Sequence, residues 1–176
     1  MEILETSRLT VRHLTTDDAA FIVDLLNQPS FLENIGDKGV RTVEDARQFL
    51  LDGPMASYAQ NGFGLYLVEL GDSEIPIGIC GLLKREGLED VDIGFALLPQ
   101  FWSKGYAIEA ASAVMDHGRE SLGLDRIVAI VSPGNERSCK LLEKLGLRFE
   151  RLIRLAEDQA EIELFTPSAT RDEERL

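Results

Sequence analysis

The stretch Val91–Gly118 constrains the fold of this chain more than any other segment. It begins with the apolar run V-D-I-G-F-A-L-L, passes a Pro-marked turn, and continues with apolar residues at helical spacing from Ala107 onward. A run with apolar residues on both faces predicts a strand that is buried on both sides. Between strand and helix stands W-S-K-G-Y-A, where the unpaired amides of a helix start can face an anion. The sequence therefore predicts a buried strand, a tight turn, and a helix that opens near Gly105.

Hydrophobic periodicity assigns most of the remaining chain to strands and helices. Strands are predicted at Leu9–Leu14, Phe63–Leu70, Ile75–Leu83, Val91–Leu98, Arg126–Val131, Leu147–Leu155 and Ala160–Phe165. Besides the helix near Gly105, helices are predicted after Thr15 and Thr42, each followed by an acid three residues later, and after Asn135. We expect Pro29 to stop the first helix and Gly53-Pro54 to end the second, with a loop at Ser30–Arg41.

The resulting order, β-α-α-β-β-β-α-β-α-β-β, predicts an α/β fold of the mixed α+β kind, with one sheet and helices on both faces. Strands joined by hairpins should be antiparallel, and strands joined across a helix should be parallel. The 176 residues show no internal repeat, low-complexity segment or linker. We therefore expect a single domain over residues 1–176, with a charged and frayed tail at about 168–176.

The charge balance restricts the partners of the chain. It has 31 acidic and 18 basic residues, for a net charge of -13. Nucleic acids and anionic membrane surfaces need a cationic face, so neither is expected as a partner. A cationic partner, such as an amine or a basic protein tail, is mildly favoured, although a charged surface kept for solubility is the plainer interpretation. The N-terminus lacks the pattern of a signal peptide, and no apolar run could span a bilayer, so a cytoplasmic setting is expected.

Several common catalytic motifs are absent from the sequence. There is no G-x-x-x-x-G-K-[ST], no G-x-G-x-x-G and no G-x-S-x-G. The two histidines, His13 and His117, stand far apart, and Cys80 and Cys139 form no metal-ligand spacing, so no metal site is expected. Both cysteines lie in apolar runs and are expected to be buried thiols. On these residues alone, the segment around Gly105 is equally compatible with a diphosphate site and with a structural turn.

Longer patterns carry a family resemblance. The run L-L-P-Q-F-W-S-K-G-Y-A-I-E-A-A is followed about thirty residues later by N-E-R-S-C-K-L-L-E-K-L-G-L-R-F-E. Together they resemble the GNAT superfamily of acyl-CoA N-acyltransferases. With E-T-S-R-L-T-V-R-H-L near the N-terminus and the strand V-D-I-G-F-A-L, the chain looks like the branch that acetylates protein N-termini, typified by the ribosomal-protein alanine and serine acetyltransferases. The resemblance extends from Glu5 to about Phe165.

The resemblance implies a site for acetyl-CoA. The family's diphosphate loop falls on Trp102, Ser103, Lys104, Gly105, Tyr106 and Ala107. Trp102 replaces the usual polar first residue, and Ser103 replaces the usual glycine. Strand residues Phe95, Ala96 and Leu97 would pair by main chain with the pantetheine arm and help to polarise the thioester carbonyl. Asn135 would either bind the pantetheine amides or cap its helix, and Lys104, Arg137 and Lys140 are candidates for the 3′-phosphate.

The catalytic residues implied by the resemblance are less complete. Many relatives use a tyrosine as the acid that protonates the leaving thiolate, and here that position is Leu142. Ser138, one turn earlier, is the proposed substitute, with helix capping as an equal alternative. Asp92 on the buried strand is the best-placed candidate for the base that deprotonates the amine, and the alternative is an ion pair with a neighbouring strand. Glu33 in the segment 30–41 is a further candidate base.

The function implied is an acetyl-CoA-dependent N-acetyltransferase that acts on a primary amine, either a protein N-terminus or a small molecule, by direct attack. A non-catalytic acyl-CoA-binding sensor or interaction module is the alternative, because the tyrosine is missing. Segments Ser30–Arg41 and Met55–Gly62 are expected to shape the acceptor pocket, but no pattern in them names the amine. The resemblance is also compatible with a homodimer.

Overall fold

The central feature of the fold is a sheet of eight strands, seen in a computed structural model that describes residues 1–168. The strands are β1 (Glu2–Glu5), β2 (Leu9–His13), β3 (Leu65–Leu70), β4 (Ile75–Leu83), β5 (Val91–Leu97), β6 (Ile127–Val131), β7 (Leu147–Ile153) and β8 (Ile162–Pro167). Their order across the sheet is β1-β2-β3-β4-β5-β6-β8-β7. Neighbouring strands are antiparallel except β5 and β6, which are joined across a helix and are parallel as predicted. The same prediction was wrong for β2 and β3, which are also joined across helices but pair antiparallel.

Helices cover both faces of this sheet. They are α1 (Ala19–Leu26), α2 (Pro29–Asn34), α3 (Val43–Leu50), α4 (Ala56–Asn61), α5 (Tyr106–Glu120) and α6 (Glu136–Lys144). One buried apolar cluster joins the sheet to α5 and α6, with Ala111, Val114 and Leu142 among its members. A second cluster joins the opposite face to α1 and α3, and includes Ile22 and Leu50. The mixed sheet between two helical layers confirms the predicted fold class.

Two predicted helix starts are confirmed by their caps. Thr15 and Thr42 each accept a backbone N–H and are each paired with an acid three residues later, Asp18 and Asp45, whose carboxylate accepts the backbone N–H of the threonine. These reciprocal contacts satisfy amide groups that a helix start would otherwise leave unpaired.

Three parts of the predicted order were wrong or incomplete. The segment predicted to be a loop, 30–41, contains most of α2. Pro29 does end the first helix, but it is also the first residue of α2, where its missing N–H costs nothing. The helix from Thr42 does not end at Gly53-Pro54, because a π turn at Leu51–Met55 accommodates the proline and leads into α4. Strand β1 has only two apolar residues and was too short to detect by alternation.

Two further expectations concern the ends and surroundings of the chain. The tail predicted to be frayed, about 168–176, lies outside the described residues except for its first position. Within residues 1–168, every helix is too short or too polar to cross a membrane.

Candidate functional site

The site is built around a gap between the two parallel strands. Strands β5 and β6 pair only at Val91 with Ile127 and at Asp92 with Val128. Beyond these positions β5 continues to Leu97 on β4, and β6 continues to Val131 on β8, so the two strands diverge. The backbone edge of β5 from Gly94 onward therefore faces an open wedge, as an edge strand does. An extended ligand can add to such an edge through main-chain hydrogen bonds.

The loop after β5 ends this wedge and leads into α5. A short 3₁₀ turn at Pro99–Phe101 reverses the chain, and both Ser103 (φ 60°) and Gly105 (φ 82°) adopt the left-handed conformation. Helix α5 begins at Tyr106, as the sequence predicted, and its N-cap Gly105 has no side chain that could cap it. The amides of the first turn are therefore left to solvent or to an anion.

Trp102 ties the loop to both neighbouring elements. Its indole Nε1 donates a hydrogen bond to the carbonyl oxygen of Leu97, over 2.9 Å. The guanidinium of Arg137 on α6 stacks over the indole ring, 4.4 Å from its centroid. Trp102 thus orients the end of β5 and the start of α6, and leaves the Leu97 oxygen one lone pair for another donor.

Arg8 supports the same loop from the N-terminal side. Its Nη1 donates to the carbonyl oxygen of Lys104 over 2.9 Å, and its guanidinium stacks over Tyr106, 4.5 Å from the ring centroid. Glu109 on the first turn of α5 holds Arg8 in place, with Oε2 2.6 Å from Nη2 and 2.7 Å from Nε. The φ of 82° at Gly105 favours glycine, and a Cβ there would lie 3.1 Å from Arg8 Nη2, which would have to shift by a few tenths of an ångström.

Glu109 extends this support to the turn between β1 and β2. Its Oε1 accepts hydrogen bonds from Thr6 Oγ1 at 2.6 Å, from Ser7 Oγ at 3.2 Å and from the Arg8 backbone N–H at 3.0 Å. The pKa of Glu109 is lowered because these hydrogen bonds and the charge of Arg8 outweigh its desolvation. Sequence reasoning missed both Arg8 and Glu109 as contributors to the site. The only signal was their place in the runs E-T-S-R-L and G-Y-A-I-E-A-A.

Helix α6 forms the other wall of the wedge. Asn135 is its N-cap, and Asn135 Oδ1 accepts the backbone N–H of Ser138 over a long 3.3 Å. Both side chains line the cavity between the strands, whereas Cys139 on the same helix does not. Leu142, at the position of the family's tyrosine, is fully buried in the core. The helix therefore supplies Asn135 and Ser138 among the polar side chains that line the wedge.

Asp92 lies at the start of the divergence, and its side chain is 1% exposed. Arg85 Nε donates to both of its carboxylate oxygens, over 2.9 and 3.1 Å. Burial raises the pKa of Asp92, and the charge and hydrogen bonds of Arg85 partly offset that rise. The ion pair was the alternative role considered for this residue, and it leaves the carboxylate engaged at neutral pH.

A cavity of about 1390 Å³ runs through the wedge and joins these elements. Among the predicted cofactor residues, all except Lys104 line it: Phe95, Ala96, Leu97, Trp102, Ser103, Gly105, Tyr106, Ala107, Asn135 and Ser138. Lys104 contributes its backbone to the loop, while its side chain is outside the cavity wall. Arg137 and Lys140, the other 3′-phosphate candidates, line the cavity, and Glu33 does not. The structure therefore brings together ten of the eleven predicted cofactor residues and separates the second candidate base from them.

Both segments expected to shape the acceptor pocket, Ser30–Arg41 and Met55–Gly62, contribute residues to the cavity wall. Phe31, Asn34 and Lys38 from the first segment and Ser57 from the second line the cavity. Ser132 at the end of β6 donates a hydrogen bond to the carbonyl oxygen of Asn34 over 2.8 Å, which holds α2 against the mouth of the wedge. In the described part of the chain, no group of three or more His, Cys, Asp or Glu side chains is arranged to hold a metal ion.

Comparisons with known proteins agree on one family. Residues 8–148 match the model of the acetyltransferase (GNAT) domain. An uncharacterized N-acetyltransferase of Bacillus subtilis (strain 168), YoaA, is 31% identical over 154 residues, which is 86% of each chain. The crystal structure of an acetyltransferase from Agrobacterium tumefaciens str. C58 superposes with a TM-score of 0.80 and 26% identity, over 94% of each chain. A ribosomal L7/L12 alpha-N-protein acetyltransferase, RimL, in complex with coenzyme A has a TM-score of 0.79 over 94% of this chain and 97% of that one, at 18% identity.

Proposed function

The chain belongs to the GNAT acetyltransferase family, and from that premise we propose that it transfers an acetyl group from acetyl-CoA to a primary amine. The observation that carries the proposal is the open edge of β5, which leads directly into the uncapped start of α5. A strand edge suits the amide-bearing pantetheine arm, and a helix start with left-handed residues before it suits a diphosphate. The similar structure of RimL in complex with coenzyme A gives this assignment further support at the level of the fold.

Each part of the site would have a separate task in binding. Amides of Ser103 to Ala107 would hold the diphosphate, and the main chain of Phe95 to Leu97 would hold the pantetheine arm and the thioester carbonyl. Arg137 and Lys140 would attract the 3′-phosphate at the open end of the cavity. The residues present fit the molecule, since the cavity is long, leads from this loop into the wedge, and is lined by cations at the α6 end.

The chemical step would be a direct attack of the neutral amine on the thioester carbonyl carbon. A C–N bond forms, the C–S bond breaks, and the amine proton must leave while the thiolate gains one. Ser138 would donate a hydrogen bond to the departing sulfur, because its side chain lines the wedge on the α6 side. Asp92 would accept the amine proton through water, because a carboxylate offers about four acceptor sites and Arg85 Nε uses one on each oxygen.

Acceptor-dependent release of free thiol from acetyl-CoA tests the proposal. Peptides with free N-termini, amino acids and small amines are supplied in turn, and we expect thiol release only with an accepted amine. Ser138→Ala should lower kcat more than acetyl-CoA affinity, whereas Ser112→Ala on the exposed face of α5 should change neither. Stabilisation by coenzyme A with no thiol release across the panel would contradict catalysis and favour a binding module.

A further inference from the structure

The end of the cavity away from the diphosphate loop is positively charged, whereas the whole chain has a net negative charge. This end, called here the acceptor end, is formed by Phe31, Asn34, Lys38, Arg85 and Asp92. Asp92 precedes Leu97 by five residues of extended strand, which corresponds to about 16 Å. The acceptor end therefore lies beyond the reach of the diphosphate loop and faces the thioester end of the wedge.

The cavity wall is cationic although the chain is strongly acidic. Its charged lining residues are Lys38, Lys84, Arg85, Asp92, Glu136, Arg137, Lys140 and Lys144. Six of these eight carry positive charge, in a chain whose net charge is -13. Three of the cations lie on α6, where a coenzyme would need them, and the other three lie toward the acceptor end.

Within the acceptor end, the only carboxylate is already paired. Asp92 is buried, and Arg85 Nε bridges both of its oxygens, so its negative charge is compensated. The Nη atoms of Arg85 have no hydrogen-bond partner among residues 1–168, and the side chain is 33% exposed. Arg85 can therefore donate to a second anion through its free edge without releasing Asp92.

Lys38 lines the same cavity, and it also borders a second, smaller hollow that Asp45 and Asp52 line. In the described part of the chain its ammonium makes no ion pair, whereas the ammonium of the neighbouring Lys84 donates to the carbonyl oxygen of Glu89. Although much of the residue is exposed, the pKa of Lys38 is lowered, first by partial desolvation of the ammonium and next by the positive charge of Arg85. Two cations that repel each other across a cleft are both stabilised by an anion placed between them.

We propose that the acceptor is an amine that carries a carboxylate or phosphate group on the same molecule, bound between Lys38 and Arg85. Its amine would then point along the cavity toward the thioester end of the wedge. The proposal rests on the proposed function, since it names the acceptor of that same site. It also excludes polyamines as good acceptors, because a second ammonium would have to enter a cleft that already holds two cations.

The local charges outweigh the net charge of the chain at this site. Exposed charges more than about 8 Å away are largely screened at physiological ionic strength, whereas partly desolvated charges that touch the ligand are not. The negative net charge, which mildly favoured a cationic partner, therefore acts on encounter from a distance more than on the bound acceptor.

A matched set of acceptors tests the proposal by thiol release from acetyl-CoA. The set is γ-aminobutyrate, aminopropyl phosphate, butylamine and putrescine, together with peptides whose second residue is Glu, Gln or Lys. We expect kcat/KM at least about tenfold higher for the anionic members than for butylamine, and lowest for putrescine. The carboxylate, phosphate and peptide arms identify which source of the anion is used.

Two charge reversals show which end of the cavity determines the preference for anionic acceptors. Lys38→Glu should raise the KM of the preferred anionic acceptor about tenfold, with kcat and coenzyme A affinity unchanged, because it affects uniform binding of the acceptor only. Lys140→Glu, the matched control at the α6 end, should weaken coenzyme A and leave the order of acceptors unchanged. Lys38 is used because removing Arg85 would leave the buried Asp92 charge unpaired and destabilise the fold.

The outcomes separate the two levels of the proposal. Equal or better transfer to putrescine or butylamine, or an unchanged acceptor order in Lys38→Glu, would overturn the anionic acceptor and leave the acetyltransferase proposal standing. No transfer to any amine in the set or in the wider panel would instead overturn the proposed function.

Discussion

Ser103 shows how a single residue shapes the diphosphate loop. Its φ of 60° lies in the left-handed region, which side chains with a Cβ adopt only at a cost. Its hydroxyl is 3.4 Å from Arg137 Nη1, a weak contact on an exposed residue that returns little of that cost. The resemblance placed glycine at this position in most relatives, and the backbone conformation explains why.

Ser103→Gly should therefore raise the free energy of unfolding by about 1 kcal/mol, because glycine removes the left-handed strain. Urea unfolding measures the change. Ser112→Gly, the same substitution in the exposed interior of α5, should lower it by about 0.5 kcal/mol. A loss of stability in Ser103→Gly would show that the serine hydroxyl contributes more than the backbone strain costs.

Asp92 and Arg85 form the residue pair whose charges depend most on pH. Burial raises the pKa of Asp92 above 3.8, so the folded state holds this proton more tightly than the unfolded state. Ionising Asp92 therefore lowers the free energy of unfolding as pH rises from 3.8 through the raised pKa, and Arg85 limits the loss.

Arg85→Met should lower the free energy of unfolding by about 2 kcal/mol near neutral pH, and by less below about pH 4, because it leaves a buried carboxylate unpaired. Arg85→Met combined with Asp92→Asn should recover most of this loss. Urea unfolding at both pH values completes the double-mutant cycle. A pH-independent loss would mean that Arg85 acts through packing.

At the scale of elements, the turn between β1 and β2 and the start of α5 behave as one unit. Arg8 and Glu109 connect them through the ion pair at 2.6 Å and the Arg8 hydrogen bond to the Lys104 carbonyl. Neither side chain is among those that line the cavity, so both would act on a ligand only by holding the loop. They are positioning residues in the proposed function.

Arg8→Met should raise the KM for acetyl-CoA about tenfold through loss of loop position, with the acceptor KM unchanged. Arg8→Lys should recover only part of the effect, since lysine lacks the forked guanidinium. Steady-state kinetics measure the KM, and thermal unfolding shows whether the change in KM comes from a general loss of stability. Arg126→Met, which removes the exposed pair with Asp90, is the control and should leave both KM values unchanged.

The same elements show what a sequence can and cannot predict. Periodicity was sufficient for β5 and α5, because both are buried runs with strong patterns, and the threonine caps at Thr15 and Thr42 were sufficient for two helix starts. The helix α2 was missed because the first of its six residues is Pro29, which was interpreted only as a stop. The Arg8–Glu109 contact could not be predicted, since 101 residues separate the partners and an Arg–Glu pair has no local pattern.

Some residues of the candidate site could also be predicted from the sequence, and others could not. Loop residues were predicted because their backbone role follows from glycine and from a helix start, and these are local properties. The pairing of Asp92 with Arg85 depends on the register of β4 and β5, which places Leu83 opposite Asp92 and so brings Arg85 close. The cationic acceptor end combines Lys38, in the loop after α2, with Arg85, in the loop after β4, and no single segment contains both.

At the scale of the whole molecule, the site and the surface have opposite charge. A net charge of -13 surrounds a cavity wall with six cations and two anions. If the cations of the cavity wall dominate binding, coenzyme A should bind more weakly as salt screens them. If the negative charge of the protein surface dominates, salt should strengthen binding, because it screens the repulsion between that surface and the anionic coenzyme.

We expect the Kd of coenzyme A to rise about tenfold between about 50 and about 500 mM salt, because in the proposed function Arg137 and Lys140 would bind the 3′-phosphate. Dephospho-coenzyme A, which lacks the 3′-phosphate, should show a smaller rise. Titration calorimetry measures both. A Kd that falls with salt would show that the net surface charge controls binding.

Hydrogen–deuterium exchange with and without acetyl-CoA tests the central claim most directly, because that claim places main-chain amides in contact with the ligand. The account predicts slower exchange at Phe95–Leu97 and Ser103–Ala107 on binding, with the exposed turn between β3 and β4, which does not line the cavity, as an internal reference. Protection confined to other segments, with both of these unchanged, would contradict the placement of acetyl-CoA in the wedge between β5 and β6.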